Sequence, residues 1–309
     1  MKLARRCLRS RSHVLALVAT LALAPACAGT KGAKGASAQP EAAVDPEEHA
    51  IFTGEGGAGT VADFVAAAAD AALVAVGELH YHPVGSRIEL EVLEAMAGQG
   101  PVALAMEFFE RDTQADLDAY LAGTIDQATF VARTRQGEKY PATHGPLIEF
   151  CKARGIPVIA ANAPRRLVTG YRKSGLAYDA YLASLPEAER ALLPRSTTIR
   201  GDDFERRFLE FMGPERGPAF LKSMVLWNDA MAESIADFRA ARPDHRVLLV
   251  VGVFHVAGKI GVITSYGERR PEEKSAVLVM EAVEGAKALG FEADDRGEGD
   301  LVVKLRPGE

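Results

Sequence analysis

The apolar residues of the chain form short continuous runs, separated by stretches in which apolar residues recur every three or four positions. The clearest runs are residues 72–77, 102–106, 156–161 and 247–252. Such runs are typical of fully buried strands, and the spacing between them is typical of amphipathic helices. Their alternation predicts an α/β fold, in which a largely parallel sheet carries helices on both faces.

The sequence also predicts where two of the helices begin. Ser86 and Glu89 have the spacing of a capping box, in which each side chain accepts a hydrogen bond from the other residue's backbone N–H. Pro218 precedes a long amphipathic pattern, and proline suits the first turn of a helix because the N–H that it lacks would have no partner there.

Two further strands and one insertion complete the predicted domain. Residues 275–281 and 300–305 are apolar enough to be later strands, one of them at an edge of the sheet. Residues 165–216 are more polar, with a helical pattern and no clear strand, which indicates a helical insertion. We therefore expect one α/β domain over residues 49–309.

The first 26 residues have the pattern of an export signal peptide. Basic side chains precede an apolar run from Val14 to Ala26, which is shorter than the ~20 residues of a membrane-spanning helix. Small residues before Cys27 resemble a bacterial lipoprotein cleavage box, which predicts a lipid on this cysteine. Pro25 and the position of Leu23 depart from the commonest box, so plain secretion and an uncleaved anchor remain alternatives.

Composition narrows the class of protein. The chain is 48% hydrophobic and 25% charged, as packed globular proteins are, and its net charge of −6 does not suggest a nucleic-acid-binding protein. Residues 27–48 contain few apolar side chains and are expected to form a flexible tether. A lipid on Cys27 would leave Cys151 without a partner, so no intramolecular disulfide is expected.

Each of the four clearest strands is followed by residues that bind cations or anions, or move protons. In open parallel sheets the ligand crevice lies outside the carboxyl ends of the strands. We therefore expect these side chains to share one cleft, although each alone has an ordinary explanation as a surface or salt-bridge residue. They are Glu78, His80, Glu107, Asn162, Arg165 and His255.

The carboxylates and imidazoles of this set allow two kinds of chemistry. Glu78, His80, Glu107 and His255 offer the oxygen and nitrogen donors of a zinc, manganese or iron site. A metal with an open position would activate water, and a remaining glutamate would act as general base. Without metal, the same residues form a hydrogen-bonded proton-transfer cluster, and the sequence alone does not separate the two.

Five short motifs together resemble the ChaN-like family of bacterial haem-binding, iron-uptake lipoproteins in the Tiki/TraB superfamily. The resemblance runs from about residue 62 to residue 265 and depends on the order and spacing of the motifs, since each is short. They are Gly77-Glu78-x-His80, Ala105-Met106-Glu107-Phe108, Ala161-Asn162-x-Pro164-Arg165, Trp227-Asn228-Asp229-x-Met231-Ala232 and Gly252-x-x-His255.

The resemblance implies haem or iron capture in the bacterial cell envelope. A haem site needs an axial ligand, an apolar slot and cations for the propionates. Arg165 is an available cation, and Asn162 and Asp229 are candidates to orient the site histidines, although Asp229 is explained equally well as a helix-surface acid. The available axial ligands are Tyr81, His82, Tyr140 and His144, of which Tyr140 and His144 are also readily explained as surface-loop residues.

The wider superfamily implies a second function. Proteins considered metal-dependent proteases or hydrolases belong to it, and their pattern carries onto Glu78, His80, Glu107 and His255 as metal or catalytic residues, with zinc or manganese as the metal. A third hypothesis is a non-catalytic binding module that keeps only the fold. The predicted partners are haem or another small molecule or peptide, and a membrane to which the lipid anchor would attach the protein. The expected location is the bacterial cell envelope, in the periplasm or at the outer membrane, and secretion is the alternative. A homodimer remains open.

Overall fold

A seven-stranded sheet runs through the part of the chain that the computed structural model describes, residues 48–285 and 287–307. The strand order is β1-β7-β6-β2-β5-β3-β4, and all neighbours are parallel except β1 and β7. The strands are β1 (His49–Thr53), β2 (Ala71–Glu78), β3 (Val102–Glu110), β4 (Val158–Asn162), β5 (Arg246–Gly252), β6 (Lys274–Ala282) and β7 (Leu301–Leu305). The predicted α/β fold with a largely parallel sheet is confirmed.

Helices connect the strands, and several short 3₁₀ turns interrupt the loops. The α-helices are α1 (Val61–Ala67), α2 (Pro83–Gln99), α3 (Gln114–Leu121), α4 (Gln127–Arg133), α5 (Gly145–Arg154), α6 (Arg165–Ser174), α7 (Tyr178–Ser184), α8 (Glu187–Arg190), α9 (Asp203–Ala241) and α10 (Val262–Arg269). The 3₁₀ turns are Arg111–Thr113, Tyr140–Ala142, Val253–His255, Ala257–Lys259 and Ala293–Asp295.

Alternate residues of the central strands bury opposite faces of the sheet. In β2, Val74 and Val76 pack with α1 to α5, whereas Leu73 and Ala75 pack with α9 and α10. This follows from the two-residue period of a strand, and it explains why the central strands are apolar at nearly every position. The small helices α6 and α7 pack in turn against α9.

Parallel pairing brings the ends of distant strands to one edge of the sheet. Glu78 at the end of β2 is in register with Gly252 at the end of β5, and Glu110 in β3 is in register with Asn162 at the end of β4. The residues that follow these strands therefore project from one rim of the sheet. We call this edge the strand-end rim.

The predicted capping box at the start of the first long helix is wrong. Helix α2 begins at Pro83, and His82 is its N-cap, with a side chain that accepts a hydrogen bond from the backbone N–H of Gly85. Proline at the first helical position fixes this start. Ser86 and Glu89 consequently lie inside the helix, and both are buried.

The long helix also begins earlier than predicted. Helix α9 starts at Asp203, where the side chain of Asp202 accepts from the backbone N–H of Glu205. Gly213 interrupts it with a left-handed φ of 75°, and Pro214 opens the second stretch. Pro218 therefore lies inside this stretch as its fifth residue, where it removes the hydrogen bond that an N–H would make to the carbonyl of Pro214.

The edges of the sheet also differ from the prediction. Strand β7 lies between β1 and β6, so β1 and β4 form the two edges. The pattern missed β1 because all five of its residues are only half-buried and do not form an apolar run. Residues 165–216 hold α6, α7, α8 and the start of α9, without a strand.

The predicted signal peptide and Cys27 lie outside the described residues, as does nearly all of the tether. Among the described residues no helix is both long and apolar enough to cross a membrane.

Gly77 is the position where close packing beneath the rim should be most sensitive to an added methyl group. A Cβ there would lie 2.8 Å from Val256 Cγ2 and 3.0 Å from Val253 Cα. We expect Gly77→Ala to lower the free energy of unfolding by about 1–3 kcal/mol in urea denaturation. Gly98→Ala is the control, because a Cβ meets nothing within 4 Å there and helix α2 should gain about 0.5–1 kcal/mol. Equal stability of the two variants would contradict this packing.

Candidate functional site

Glu78 is the buried centre of the strand-end rim. It is the last residue of β2 and only 2% exposed, and its two carboxylate oxygens face two different histidines. Oε1 lies 2.8 Å from His80 Nδ1, and Oε2 lies 2.8 Å from His144 Nε2. Burial alone would raise the pKa of Glu78, but the hydrogen bonds from His144 and His80 outweigh it and lower the pKa to about 2. Glu78 is therefore a carboxylate at neutral pH.

Glu107, the second carboxylate of the rim, faces the backbone N–H of Gly252 and the ring of His255. Its Oε2 accepts a hydrogen bond from the backbone N–H of Gly252 at 2.7 Å, and its Oε1 lies 3.7 Å from His255 Nε2. A Cβ at Gly252 would be 2.7 Å from His80 Cε1 and 3.4 Å from Glu107 Oε2. Glycine at this position thus lets His80, Glu107 and His255 approach the end of β5 together.

Asn228 orients His255. Its Oδ1 lies 2.5 Å from His255 Nδ1, and an amide oxygen only accepts, so Nδ1 carries the proton. Burial lowers the pKa of His255 more than the charge of Glu107 raises it, which favours the neutral ring. The unprotonated Nε2 then points at Glu107 as a free acceptor or metal donor.

His80 is the accessible imidazole of the rim, with a side chain that is 39% exposed. Burial of the ring lowers its pKa, but the hydrogen bond to Glu78 and the charges of Glu107 and Glu78 outweigh this and raise it. His80 is therefore held by one carboxylate and faces a second. This is the arrangement of a group that can take up and release a proton near neutral pH.

A fully buried polar cluster lies beneath the rim. His144 is 0% exposed and stacks on Phe108, with ring centroids 4.0 Å apart. The carboxyl of Glu89 on helix α2 lies against that of Glu78, and burial together with this neighbour raises the pKa of Glu89 well above its usual range. From the sequence Glu89 was expected only as a capping-box residue and not as part of a site, because a glutamate in an amphipathic helix normally faces solvent.

The four candidate haem ligands lie in different environments. Tyr81 is half-buried on the rim, with its ring 5.5 Å from that of His144 and 6.3 Å from those of His80 and Phe108. It adopts a φ of 60°, which is rare for a tyrosine and turns the chain directly after β2. Burial and the charges of Glu78 and Glu107 raise the pKa of its hydroxyl.

His82 and Tyr140 are engaged elsewhere. His82 Nε2 donates to the carbonyl of Arg306 at 2.6 Å, and Nδ1 accepts the helix-capping bond, so both ring nitrogens are used. Tyr140 is not a surface-loop residue as expected: it is completely buried, with its ring against Phe109 and Phe130. His144 is buried as well, which leaves Tyr81 as the accessible residue of the four.

Arg165 lies at the rim, whereas Asp229 faces away from the histidines. Arg165 opens helix α6, is exposed, and has its guanidinium carbon 5.6 Å from the centroid of the Trp227 ring. Asp229 is buried and pairs with Arg200 at 2.9 Å and with Ser265 at 2.8 Å. The orienting partner of His255 is instead the preceding residue in the same motif, Asn228.

Asn162 closes the end of β4. It is buried, and its Oδ1 accepts a hydrogen bond from the backbone N–H of the next residue, Ala163, at 2.9 Å. This bond fixes the turn that leads to Arg165. In the structure the side chain of Asn162 therefore shapes the loop, and among the described residues it forms no hydrogen bond with a histidine of the rim.

Half-buried apolar side chains adjoin the polar rim. Phe108 lies next to His80, Phe254 precedes His255, and Met224 and Trp227 lie within one turn before Asn228 on α9. Their partial exposure distinguishes them from the core residues of the same strands and helices. The strand-end rim thus combines acids and imidazoles with the aromatic surface of Phe108.

The family of the chain follows from comparison with known proteins. A family profile described as "Haem-binding uptake, Tiki superfamily, ChaN" matches residues 64–265, well over half of the chain. The chain belongs to this ChaN family. The match spans the strand-end residues from Glu78 to His255, and it confirms the resemblance found in the motifs. No curated protein sequence matches the chain.

Several solved structures are similar to the chain at low sequence identity. ChaN of Campylobacter jejuni, solved with cofacial haem bound, superposes with a TM-score of 0.61 at 15% identity, covering 85% of this chain and 98% of that one. The type III effector HopBA1 has a TM-score of 0.46 at 16% identity, with 85% and 99% covered. A mutant erythromycin esterase in its open conformation has a TM-score of 0.45 at 11% identity, with 74% and 77% covered.

The electrostatic coupling within the rim can be measured directly. Glu107 raises the pKa of both His80 and His255 through its charge. Glu107→Gln removes the charge while a side-chain oxygen can still accept from Gly252, so we expect the pKa of both imidazoles to fall in an NMR titration. Glu91→Gln, on the exposed side of α2, is the control and should leave both pKa values in place. Unchanged values in Glu107→Gln would show that Glu107 does not face these rings.

Proposed function

We propose that this ChaN family protein binds haem or iron at the strand-end rim, with the Tyr81 hydroxyl as the axial ligand of a haem iron. The observation that carries the proposal is the position of Tyr81 at the rim of a family member whose described function is haem-binding uptake. Of the four candidate ligands it is the one that is neither fully buried nor engaged through both ring nitrogens.

The residues around Tyr81 fit the needs of a haem. Phe108, whose ring centroid lies 6.3 Å from that of Tyr81, supplies half-buried apolar surface for a porphyrin face. Arg165, exposed next to Trp227, is a cation for a propionate. Burial and the nearby carboxylates raise the pKa of the Tyr81 hydroxyl and keep its proton in place at neutral pH, so a haem iron held by this oxygen would have to displace that proton.

The place of action that we propose is the bacterial cell envelope. The basic and apolar pattern of residues 1–26 and the small residues before Cys27 support export and lipid attachment. A lipid anchor and the tether that follows it would hold the haem site near a membrane, where an iron-uptake protein receives its ligand. Uptake of iron from haem is therefore the role proposed for the whole chain.

A haemin titration of the purified protein tests the assignment of the ligand. We expect a saturable change of the Soret band for the wild type. Tyr81→Phe removes the ligand oxygen and should weaken haemin binding at least about tenfold, or ~1.4 kcal/mol. Tyr140→Phe is the matched control, because this hydroxyl is buried and has no hydrogen-bond partner among the described residues.

Two results would contradict the proposal. Absence of a saturable Soret change in the wild type would remove haem as the ligand. Equal binding by wild type and Tyr81→Phe, with loss in Tyr140→Phe, would place the iron in the aromatic core rather than at the rim.

A metal-dependent hydrolase is the second candidate, and one observation favours it. The accessible imidazole of His80 is held by the buried carboxylate of Glu78 and faces Glu107, which itself lies 3.7 Å from His255. A bound zinc or manganese ion would supply an activated water to such a site. In this candidate function His80 or Glu107 moves the proton, and Arg165 holds an anionic group of the substrate.

The hydrolase candidate predicts activity that depends on the rim histidine. Ester and peptide substrates are assayed with and without added zinc or manganese, and His80→Gln should lower the rate by at least about 100-fold. His245→Gln is the control, because His245 also pairs with an acid, Asp244, but precedes β5 at the opposite end of the strand. No turnover in the metal-supplemented wild type would exclude this function.

A further inference from the structure

Three donors from three elements converge below the rim, on the side of Glu78 away from solvent. Glu78 ends β2, Glu89 lies in α2, and His144 precedes α5. One ligand atom from each lies within 4.8 Å of the others. All three residues are at most 2% exposed, so bulk water does not solvate the cluster.

The cluster contains polar atoms without partners. Among the described residues, Glu89 Oε2 and His144 Nδ1 are buried and form no hydrogen bond, and neither does Ser86 Oγ one turn before Glu89. A buried polar atom without a partner costs roughly 1–3 kcal/mol. The unpartnered oxygen of Glu89 lies in a group whose ligand atoms are within 4.8 Å of one another, which indicates that the cluster holds a further group.

The charge of the cluster indicates which kind of group it is. Two carboxyls are buried side by side, and no lysine or arginine of the described residues pairs with either of them. Buried acids need a proton or a cation, since an unpaired carboxylate is very costly away from water. A divalent ion would neutralise both carboxylates at once and also bind the imidazole.

We propose that Glu78, Glu89 and His144 form a buried site for a divalent transition metal, with zinc or manganese as the ion. This donor set differs from the rim set of Glu78, His80, Glu107 and His255, and it shares only Glu78 with it. Carboxylate oxygen and imidazole nitrogen suit both metals. The site is independent of haem, because neither Tyr81 nor Arg165 belongs to it.

The geometry needs little adjustment to accept an ion. Bonds of about 2.0–2.2 Å to a metal place its donor atoms at most about 4.4 Å apart. The observed limit of 4.8 Å is only slightly larger, so side-chain rotations are enough. A bound ion would join the end of β2 to α2 and α5 and would fix Glu78, the carboxylate that positions His80.

Metal analysis of the haem-free protein tests the site. The protein is stripped with chelator, dialysed against zinc or manganese, and its metal content and Tm are measured. We expect about one ion per chain and a higher Tm, because an ion that binds only the folded state stabilises it. Glu89→Gln should weaken binding at least about 100-fold, whereas Glu91→Gln, two residues away and exposed, should bind as the wild type does.

The outcomes separate this site from its alternatives. Wild-type protein without stoichiometric metal, and with the same Tm before and after dialysis, would overturn the proposal and leave a proton shared by Glu78 and Glu89. Metal that survives Glu89→Gln but is lost in Glu107→Gln would also overturn it and place the ion on the rim. Tyr81→Phe should keep its metal, so failure of haem binding leaves this proposal intact.

Discussion

One buried carboxylate, Glu78, determines the arrangement of the whole strand-end rim. It is excluded from water at the end of the central strand β2, and it keeps its charge because His80 and His144 bond to its two oxygens. The cost of burying this charge is offset only while both imidazoles stay in place. The same bonds hold His80 at the surface and His144 beneath it, so Glu78 connects the accessible rim to the buried polar cluster.

The topology of the sheet brings segments that are distant in the sequence together around Glu78. Strand β2 lies between β5 and β6, so the residues after β5 sit directly beside those after β2. Gly252 allows this approach, because a Cβ there would lie only 2.7 Å from His80 Cε1 and would displace the ring. His255 therefore reaches Glu107 although the two residues are 148 positions apart along the chain. The strand-end rim and the buried cluster of Glu78, Glu89 and His144 therefore meet at one carboxylate.

Much of this fold could be predicted from the sequence because its central strands are buried on both faces. Continuous apolar runs predict such strands. In a parallel sheet the residues that follow the strands must lie at one edge of the sheet. This is why Glu78, His80, Glu107 and His255 could be grouped before the structure was known. Half-buried strand β1 carries no such pattern and was missed.

The depth and direction of loop side chains could not be predicted. Tyr140 and His144 lie in a polar stretch that is typical of a surface loop, yet tertiary packing buries both. His82 is two residues from His80 but caps α2, because the positive φ of Tyr81 turns the chain between them. The burial of Glu89 could not be predicted either, because helical periodicity does not distinguish a solvated glutamate from one that packs against another acid in the core.

The central proposal is a haem site at the carboxyl ends of β2, β3 and β5. A crystal structure of the haemin-loaded protein, with anomalous data at the iron edge, tests it most directly. The account predicts an iron peak at bonding distance from the Tyr81 hydroxyl, with the porphyrin against Phe108 and a propionate at Arg165. An iron peak on another face of the domain, with Tyr81 free, would contradict it.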